Sequence, residues 1–165
     1  MTTGDRPEEP AAPSPIEARV REIAGDSAQS VDYSFDELQL RVSREAVVDV
    51  CAALKSDPEL DFKYLRCLSV VDWQDELEAV YHLASLSHPH KLVIKTRAPI
   101  DDPWIPTAIS VWMGADWHER EGHDLFGLEF RGHPDLSPLI LYEGFEGFPG
   151  RKSYEMPEQV TFYGD

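Results

Sequence analysis

The sequence concentrates metal-ligating residue types in one short stretch, HEREGHDLFGLEFRGH, which runs from His118 to His133. Zinc proteases use the pattern H-E-x-x-H, because side chains four residues apart lie on the same face of a helix. Here His118 and His123 are five residues apart, so at about 100° per residue their side chains diverge by roughly 140°. The spacing argues against zinc, and a metallohydrolase using His118, Glu119, His123 and His133 is kept as the rival hypothesis.

The same stretch suggests a carboxylate on an apolar helix face. Trp117, Glu121 and Leu125 recur every four residues, so Glu121 is expected to share a buried stripe. A buried carboxylate is costly unless it is paired, and Arg120 and Asp124 have the i, i+4 spacing of a helical ion pair. These charged residues have three interpretations. In order of preference, they form a structural network, they contact an adjoining subunit, or they carry out acid–base catalysis.

Local signals define the limits of this helix. We expect it over residues 117–126, with Asp116 as N-cap, Glu119 completing a capping box, and Gly127 as a left-handed C-cap. The segment 132–135, Gly-His-Pro-Asp, is turn chemistry, in which the histidine is expected to be hydrogen-bonded and structural.

Hydrophobic periodicity predicts the elements that must position this helix. Alternating apolar residues predict strands at residues 38–42, 64–72, 77–83 and 91–97. An apolar stripe predicts a helix after Ser43, its expected N-cap, with buried residues Val47, Val50, Cys51 and Leu54. A shorter helix is expected at 16–23. The predicted fold class is α+β, a small antiparallel or mixed β-sheet with helices packed on one face, plus an extended C-terminal tail.

Composition divides the chain into three parts. Residues 1–15 form an acidic, proline-rich leader that is expected to be disordered. Residues 16–136 form the α+β domain. The tail, residues 137–165, holds six of the chain's 17 aromatic residues, and its glycines and prolines forbid a long helix. Those aromatics need a surface to cover, either on their own domain or in a groove on a partner.

Charge and missing motifs exclude several functions. The 165-residue chain has 15 basic and 31 acidic residues, a net charge of −16, which is unsuited to a free-standing nucleic-acid binder. It shows no secretory signal and no apolar run near the roughly 18 residues of a membrane span. Cys51 and Cys67 cannot supply the four ligands of an ordinary iron–sulfur cluster and are expected to be reduced. No nucleotide-binding or nucleophile-elbow motif occurs. We therefore expect no catalytic residue, cofactor or metal in this chain.

The motifs of the second half resemble the C subunit of respiratory complex I, the NADH:quinone oxidoreductase. The resemblance covers about residues 35–157, with DWHERE at 116–121, DLFG at 124–127, GHPDL at 132–136 and GFEGFP at 144–149. The sequence departs from the family pattern at Ser137-Pro138, Phe148 and Gly150. The motif or interface residues it implies are Trp117, Glu119, Arg120, Glu121, Asp124, Phe126, Gly127, Gly132, His133, Pro134, Asp135, Phe145, Pro149, Arg151 and Lys152.

This resemblance implies a non-catalytic structural and assembly subunit in the peripheral arm of a proton-translocating complex. The chain would lie at the cytoplasmic face of the membrane, attached through the complex, beside the quinone-site D subunit and cluster-bearing subunits. FMN, iron–sulfur clusters and quinone are expected in those partners. Docking is expected through residues 117–126, 131–136 and 139–160, and the isolated chain is expected to be inactive.

Two other functions stay open. The same role in a hydrogenase-type or ferredoxin-linked complex is the alternative, because the family also occurs with other electron donors. An acidic adaptor unrelated to respiration is a third hypothesis, which predicts that the tail folds onto its own domain.

Overall fold

The computed structural model describes residues 15–155. The leader expected over residues 1–15 therefore lies outside the described residues except for Pro15, which begins the first helix. The last ten residues of the tail, 156–165, also lie outside them.

Five strands form one mixed sheet in the order β1-β2-β5-β4-β3. The strands are β1 Ala28–Ser34, β2 Glu37–Val42, β3 Tyr64–Asp72, β4 Glu76–Ala84 and β5 Lys91–Pro99. The predicted meander is confirmed, because β3, β4 and β5 pair antiparallel. β1 and β2 form a hairpin, and β2 joins the meander by pairing parallel to β5.

Three α-helices, a short 3-10 helix at Gly25–Ser27 and a second small sheet complete the architecture of residues 15–155. The helices are α1 Pro15–Ala24, α2 Val47–Ser56 and α3 Ala115–Phe126. The small sheet pairs β6 Trp104–Pro106 in parallel with β7 Glu129–Arg131. β6 precedes α3 in the chain and β7 follows it, so their pairing holds together the segments before and after this helix.

The core lies on one face of the large sheet. Side chains alternate along a strand, and one alternate set of β4 residues packs with all three helices. The core cluster includes Leu77, Ala79, Tyr81 and Leu83 of β4, Val20 of α1, Val50 and Leu54 of α2, and Ala115 of α3. The predicted α+β class with helices on one face is confirmed.

Two predicted helix caps are wrong. α2 begins at Val47 with Ala46 at the N-cap position, and Ser43 instead accepts the Ala46 N–H through its backbone carbonyl at 3.2 Å. α3 begins at Ala115, ahead of the predicted start, so Asp116 lies inside the first turn and forms no capping box. The predicted C-cap is confirmed, because Gly127 has φ 68° and donates its N–H to the carbonyl of residue 123.

Candidate interaction surface

α3 packs against β3 through small residues. A Cβ added to Gly122 would lie 2.7 Å from Cγ2 of Val70, so glycine is required where helix and strand approach this closely. The buried residues of α3 are Ala115, Glu119, Gly122 and Asp124. The large residues Trp117 and Glu121 lie on the exposed side.

The carboxylate of α3 with no exposed surface is therefore Glu119, and the prediction that Glu121 shares the buried stripe is wrong. Small side chains lie where α3 packs closely against β3. The large apolar residue Trp117 therefore does not identify the buried face of this helix. Glu119 accepts hydrogen bonds from the Thr107 hydroxyl at 2.5 Å and the Ala108 N–H at 2.7 Å. Burial raises the pKa of Glu119 to about 7, helped by the charge of Asp116 and opposed by the two hydrogen bonds. The carboxylate therefore holds α3 against the segment that follows β6. No sequence pattern had indicated Thr107 as a partner of this helix.

Arg120 and Asp124 bind the start of the tail, and the ion pair expected between them is replaced by these contacts. The Arg120 guanidinium donates to the carbonyls of Ser137 and Pro138, both at 3.2 Å. One carboxylate oxygen of Asp124 accepts the backbone N–H groups of residues 139–141 at 2.8–3.2 Å. Burial opposes ionisation of Asp124, but the three donors outweigh it and lower its pKa.

The C-terminal motif closes over the end of α3. The Phe148 ring lies over Gly127, where an added Cβ would come within 2.5 Å of it. Arg151 Nε donates to the Phe126 carbonyl at 2.6 Å, and its guanidinium lies 4.7 Å from the centroid of the Phe148 ring. The backbone N–H of Lys152 donates to Asp72 at 2.6 Å.

The tail also packs on itself while leaving apolar side chains in solvent. The Phe145 ring contacts Tyr142 and Tyr154 at centroid distances of 5.4 and 6.1 Å. Pro149 is half-buried. Ile140 remains 55% exposed and Tyr142 71% exposed. Through residue 155 the tail lies on its own domain, which is the arrangement that the adaptor hypothesis predicts. Its outer side still exposes apolar side chains to which a partner could bind.

His133 organises the loop at residues 131–136. Its Nδ1 accepts the Asp135 N–H at 3.1 Å, and its Nε2 lies 3.2 Å from an Asp116 carboxylate oxygen. Gly132, with φ 87°, makes the turn before it, and Pro134 beside it is exposed. Because Nδ1 is an acceptor, Nε2 of the neutral ring carries the proton, but it makes no hydrogen bond to the described residues despite its distance from Asp116.

The histidines of the zinc-like stretch lie in different environments. His118 lines a shallow groove between α3 and β3, whereas His123 Nδ1 lies 3.0 Å from the Leu128 carbonyl. Among residues 15–155, no three His, Cys, Asp or Glu side chains form a group that could hold a metal ion.

Cys51 and Cys67 are free thiols, and burial raises the pKa of Cys51. In the same part of the chain, α1 to α3 are all too short or too polar to span a bilayer.

Curated relatives match most of the chain. The NADH-quinone oxidoreductase C 2 subunit of Rhizobium etli is 39% identical over 147 residues, which cover 87% of this chain and 78% of the relative. The F(420)H(2) dehydrogenase C subunit of Methanosarcina mazei is 44% identical over 143 residues, which cover 82% of this chain and 89% of the relative.

Solved structures share the fold. A chain of the membrane-bound sulfane sulfur reductase, an archaeal respiratory membrane complex, superposes with a TM-score of 0.74 and 28% identity, covering 87% of each chain. A trypsin-resistant fragment of Nqo5 superposes with a TM-score of 0.63 and 26% identity, covering 73% of this chain and 98% of the fragment. The model of one family matches residues 40–160, a span that includes β3 to β7, α3 and the described tail. The chain therefore belongs to the family of the respiratory-chain NADH dehydrogenase 30 Kd subunit.

Proposed function

We propose that this chain is a non-catalytic structural and assembly subunit in the peripheral arm of a proton-translocating NADH:quinone oxidoreductase, packed beside the quinone-site D subunit. The observation that carries the proposal is the family match over residues 40–160. That match includes the elements that hold the tail against α3. The chain would supply shape and adhesion, while electrons pass through FMN, iron–sulfur clusters and quinone in the partner subunits.

The docking surface combines α3, the loop at 131–136 and the tail. Trp117 is exposed on α3, and most of the loop is exposed. In the tail, Ile140 and Tyr142 are exposed although Asp124 fixes the backbone beside them. Fixed backbone with free apolar side chains lowers the entropic cost of binding, and aromatic side chains are favoured anchors at interfaces. Attachment to the cytoplasmic side of the membrane would come through the partners.

Affinity purification of the tagged full chain from its native cells tests this proposal. Deleting residues 138–165 should remove the D subunit from the purified complex. Because the deletion also removes contacts to α3, a second variant combines Ile140→Ser and Tyr142→Ser, which leave the backbone anchors in place. Leu86→Ser is the matched control, since Leu86 is 77% exposed in the turn between β4 and β5. Retention of the D subunit by both tail variants would refute docking through the tail.

A second candidate keeps the structural role but changes the electron donor. It is favoured by the Methanosarcina mazei relative, which is named as part of an F(420)H(2) dehydrogenase. The purified complex would then lack NADH-dependent quinone reduction and would contain a different electron-input module. Co-purification of a flavin-bearing module with NADH-dependent activity would exclude this candidate.

A further inference from the structure

The large sheet has a second face, opposite the core. It carries the residues that alternate with the core set, among them Gln39 and Arg41 of β2, Val71 of β3, Glu78, Val80 and His82 of β4, and Val93, Lys95 and Arg97 of β5. All three described helices contribute to the core cluster on the opposite side. Within residues 15–155, this face therefore has no second layer of secondary structure.

This face carries slightly more basic than acidic residues, although the chain as a whole is acidic. Its basic residues are Arg41, Arg66, Lys91, Lys95 and Arg97, with Lys152 of the tail at its margin. Its acidic residues are Asp32, Glu37, Glu76 and Glu78. Arg41, Arg66, Lys91 and Arg97 already form ion pairs with Glu37, Glu76 or Glu78. Among the described residues, the cations of this face that have no acidic side chain as a partner are Lys95 and Lys152, in a chain of 15 basic and 31 acidic residues. We call this surface the cationic face.

Buried Glu78 holds the centre of the cationic face in place. Its carboxylate accepts Arg97 Nε at 2.7 Å and an Arg41 guanidinium nitrogen at 3.2 Å. It also accepts the indole N–H of Trp73 at 3.2 Å. Two guanidinium groups and one indole are therefore fixed before any partner arrives, which lowers the entropy lost on binding.

An apolar strip lies beside these cations. Trp73 is 49% exposed and Val71 is also exposed. The Arg97 guanidinium lies 5.2 Å from the Trp73 ring centroid, and Lys152 Nζ lies 5.8 Å from it. Tryptophan and arginine together are the residue types enriched at the energetic centres of interfaces.

We propose that the cationic face binds an acidic amphipathic helix of another subunit of the complex. The apolar side of that helix would cover Trp73 and Val71, and its carboxylates would face Lys95 and Lys152. A helix fits because a sheet face offers side chains rather than free backbone groups, and helices form the usual second layer on a sheet. The inference rests on the proposed function, but it concerns the open face of the sheet, which the tail meets at Lys152.

Charge selects against a second copy of this chain as the occupant. A two-fold dimer through this face would bring two sets of Lys95 and Lys152 into one interface, while Glu37, Glu76 and Glu78 are already bound to cations of their own chain. Like charges across an interface are unfavourable. The excess of cations here is also smaller than in the polybasic clusters that bind anionic membranes. An acidic protein segment satisfies the charge and buries the apolar strip.

Lysine footprinting of the complex tests the inference. Acetylation rates of Lys95 and Lys152 are measured in the isolated full chain and in the complex purified through a tag on this chain. We expect both lysines to react at least about tenfold more slowly in the complex, because the centre of an interface excludes water. Carbodiimide coupling should then link them to Asp or Glu residues of one helix in another subunit.

Two charge-reversal variants of the chain provide a second test. Lys95→Glu should reduce the carbodiimide links severalfold and weaken retention of that subunit at raised salt. Lys63→Glu makes the same change in net charge outside the cationic face and should leave both unchanged. If the chain purifies with the complex but Lys95 reacts equally in both states, or is protected without such links, the inference is overturned and the proposed function stands. If the chain purifies without any complex, both fail.

Discussion

The carboxylate of Glu119 accepts the backbone N–H of Ala108 at 2.7 Å, and together with the hydrogen bond from the Thr107 hydroxyl this contact joins α3 to the chain that follows β6. Glu119 has no exposed surface, so the charged form is stabilised by only a few fixed donors. Burial raises the pKa of Glu119 to about 7. The folded protein therefore binds a proton at this site under conditions in which the unfolded chain has released it.

Stability should fall with rising pH because of Glu119. A carboxyl whose folded pKa is raised contributes stability that is complete below the unfolded value near 4.5 and is lost as pH rises to about 7. Replacing Glu119 by Gln removes this titration while keeping a hydrogen-bonding group. Relative to the wild type, Glu119→Gln should become more stable by up to about 3 kcal/mol between pH 4.5 and 8.

Urea unfolding at a series of pH values measures this difference. Glu121→Gln is the control, because it removes the same charge from the exposed side of the same helix. A stability difference for Glu119→Gln that does not change with pH would contradict the assignment.

Asp124→Ala should release the start of the tail. The substitution removes the acceptor of three backbone N–H groups, at residues 139–141, and should lower the free energy of unfolding by about 2–3 kcal/mol. Hydrogen exchange at these three amides should accelerate more than at the core strands. Glu143→Ala, which removes an exposed tail carboxylate, should leave their exchange unchanged. Unaltered protection in Asp124→Ala would show that other contacts hold the tail.

Alanine substitutions at two glycines should distinguish the stability cost of backbone strain from the cost of crowding an aromatic ring. Gly127 and Gly144 have positive φ values of 68° and 84°, so alanine at either position should cost about 1–2 kcal/mol of strain. At Gly127 the new Cβ also meets the Phe148 ring at 2.5 Å, whereas nothing lies within 4 Å at Gly144. Gly127→Ala should therefore cost about 1–3 kcal/mol more.

Thermal or urea unfolding compares the two alanine variants directly. Adding Phe148→Ala to each variant completes the comparison, since the extra cost should disappear only in the Gly127 background. Equal costs for Gly127→Ala and Gly144→Ala would mean that the Phe148 ring moves away freely.

The elements predicted correctly are those whose apolar residues are large and periodic. α2 carries four large or medium apolar residues on one stripe, and all four are buried. The limits of β3, residues 64–72, match the prediction for the same reason. In contrast, β1 has few apolar residues, and its strand conformation depends on pairing with β2, which local periodicity does not reveal.

The contacts among the motif residues could not be predicted from the sequence. The motif residues of α3 and the tail do come together, but Glu119 rather than Glu121 is buried, because small residues form the packed side of the helix. The contact between Asp72 and Lys152 joins residues 80 positions apart. Such contacts are set by the assembled fold, and no local spacing encodes them.

Glu78 and Glu76 bind the same arginine but should differ greatly in their effect on stability. Arg97 donates to Glu78 at 2.7 Å and to Glu76 at 2.9 Å. The side chain of Glu78 is 3% exposed and that of Glu76 is 41% exposed. Removing one partner of a fully buried ion pair costs about 3–5 kcal/mol, and here the two arginines keep some access to water, so Glu78→Ala should cost about 2–3 kcal/mol. Glu76→Ala should cost less than about 1 kcal/mol, because exposed ion pairs contribute little.

The same two variants also report on the arrangement of the cationic face. Loss of Glu78 frees the Trp73 indole N–H and the Arg41 guanidinium, so the fluorescence of Trp73 should change in Glu78→Ala and stay constant in Glu76→Ala. A second measurement uses Trp73→Phe to identify the tryptophan responsible, since the chain has four. Equal unfolding free energies for Glu78→Ala and Glu76→Ala would show that Glu78 does not organise this surface, and the fixed positions of Arg41 and Arg97 would then need another cause.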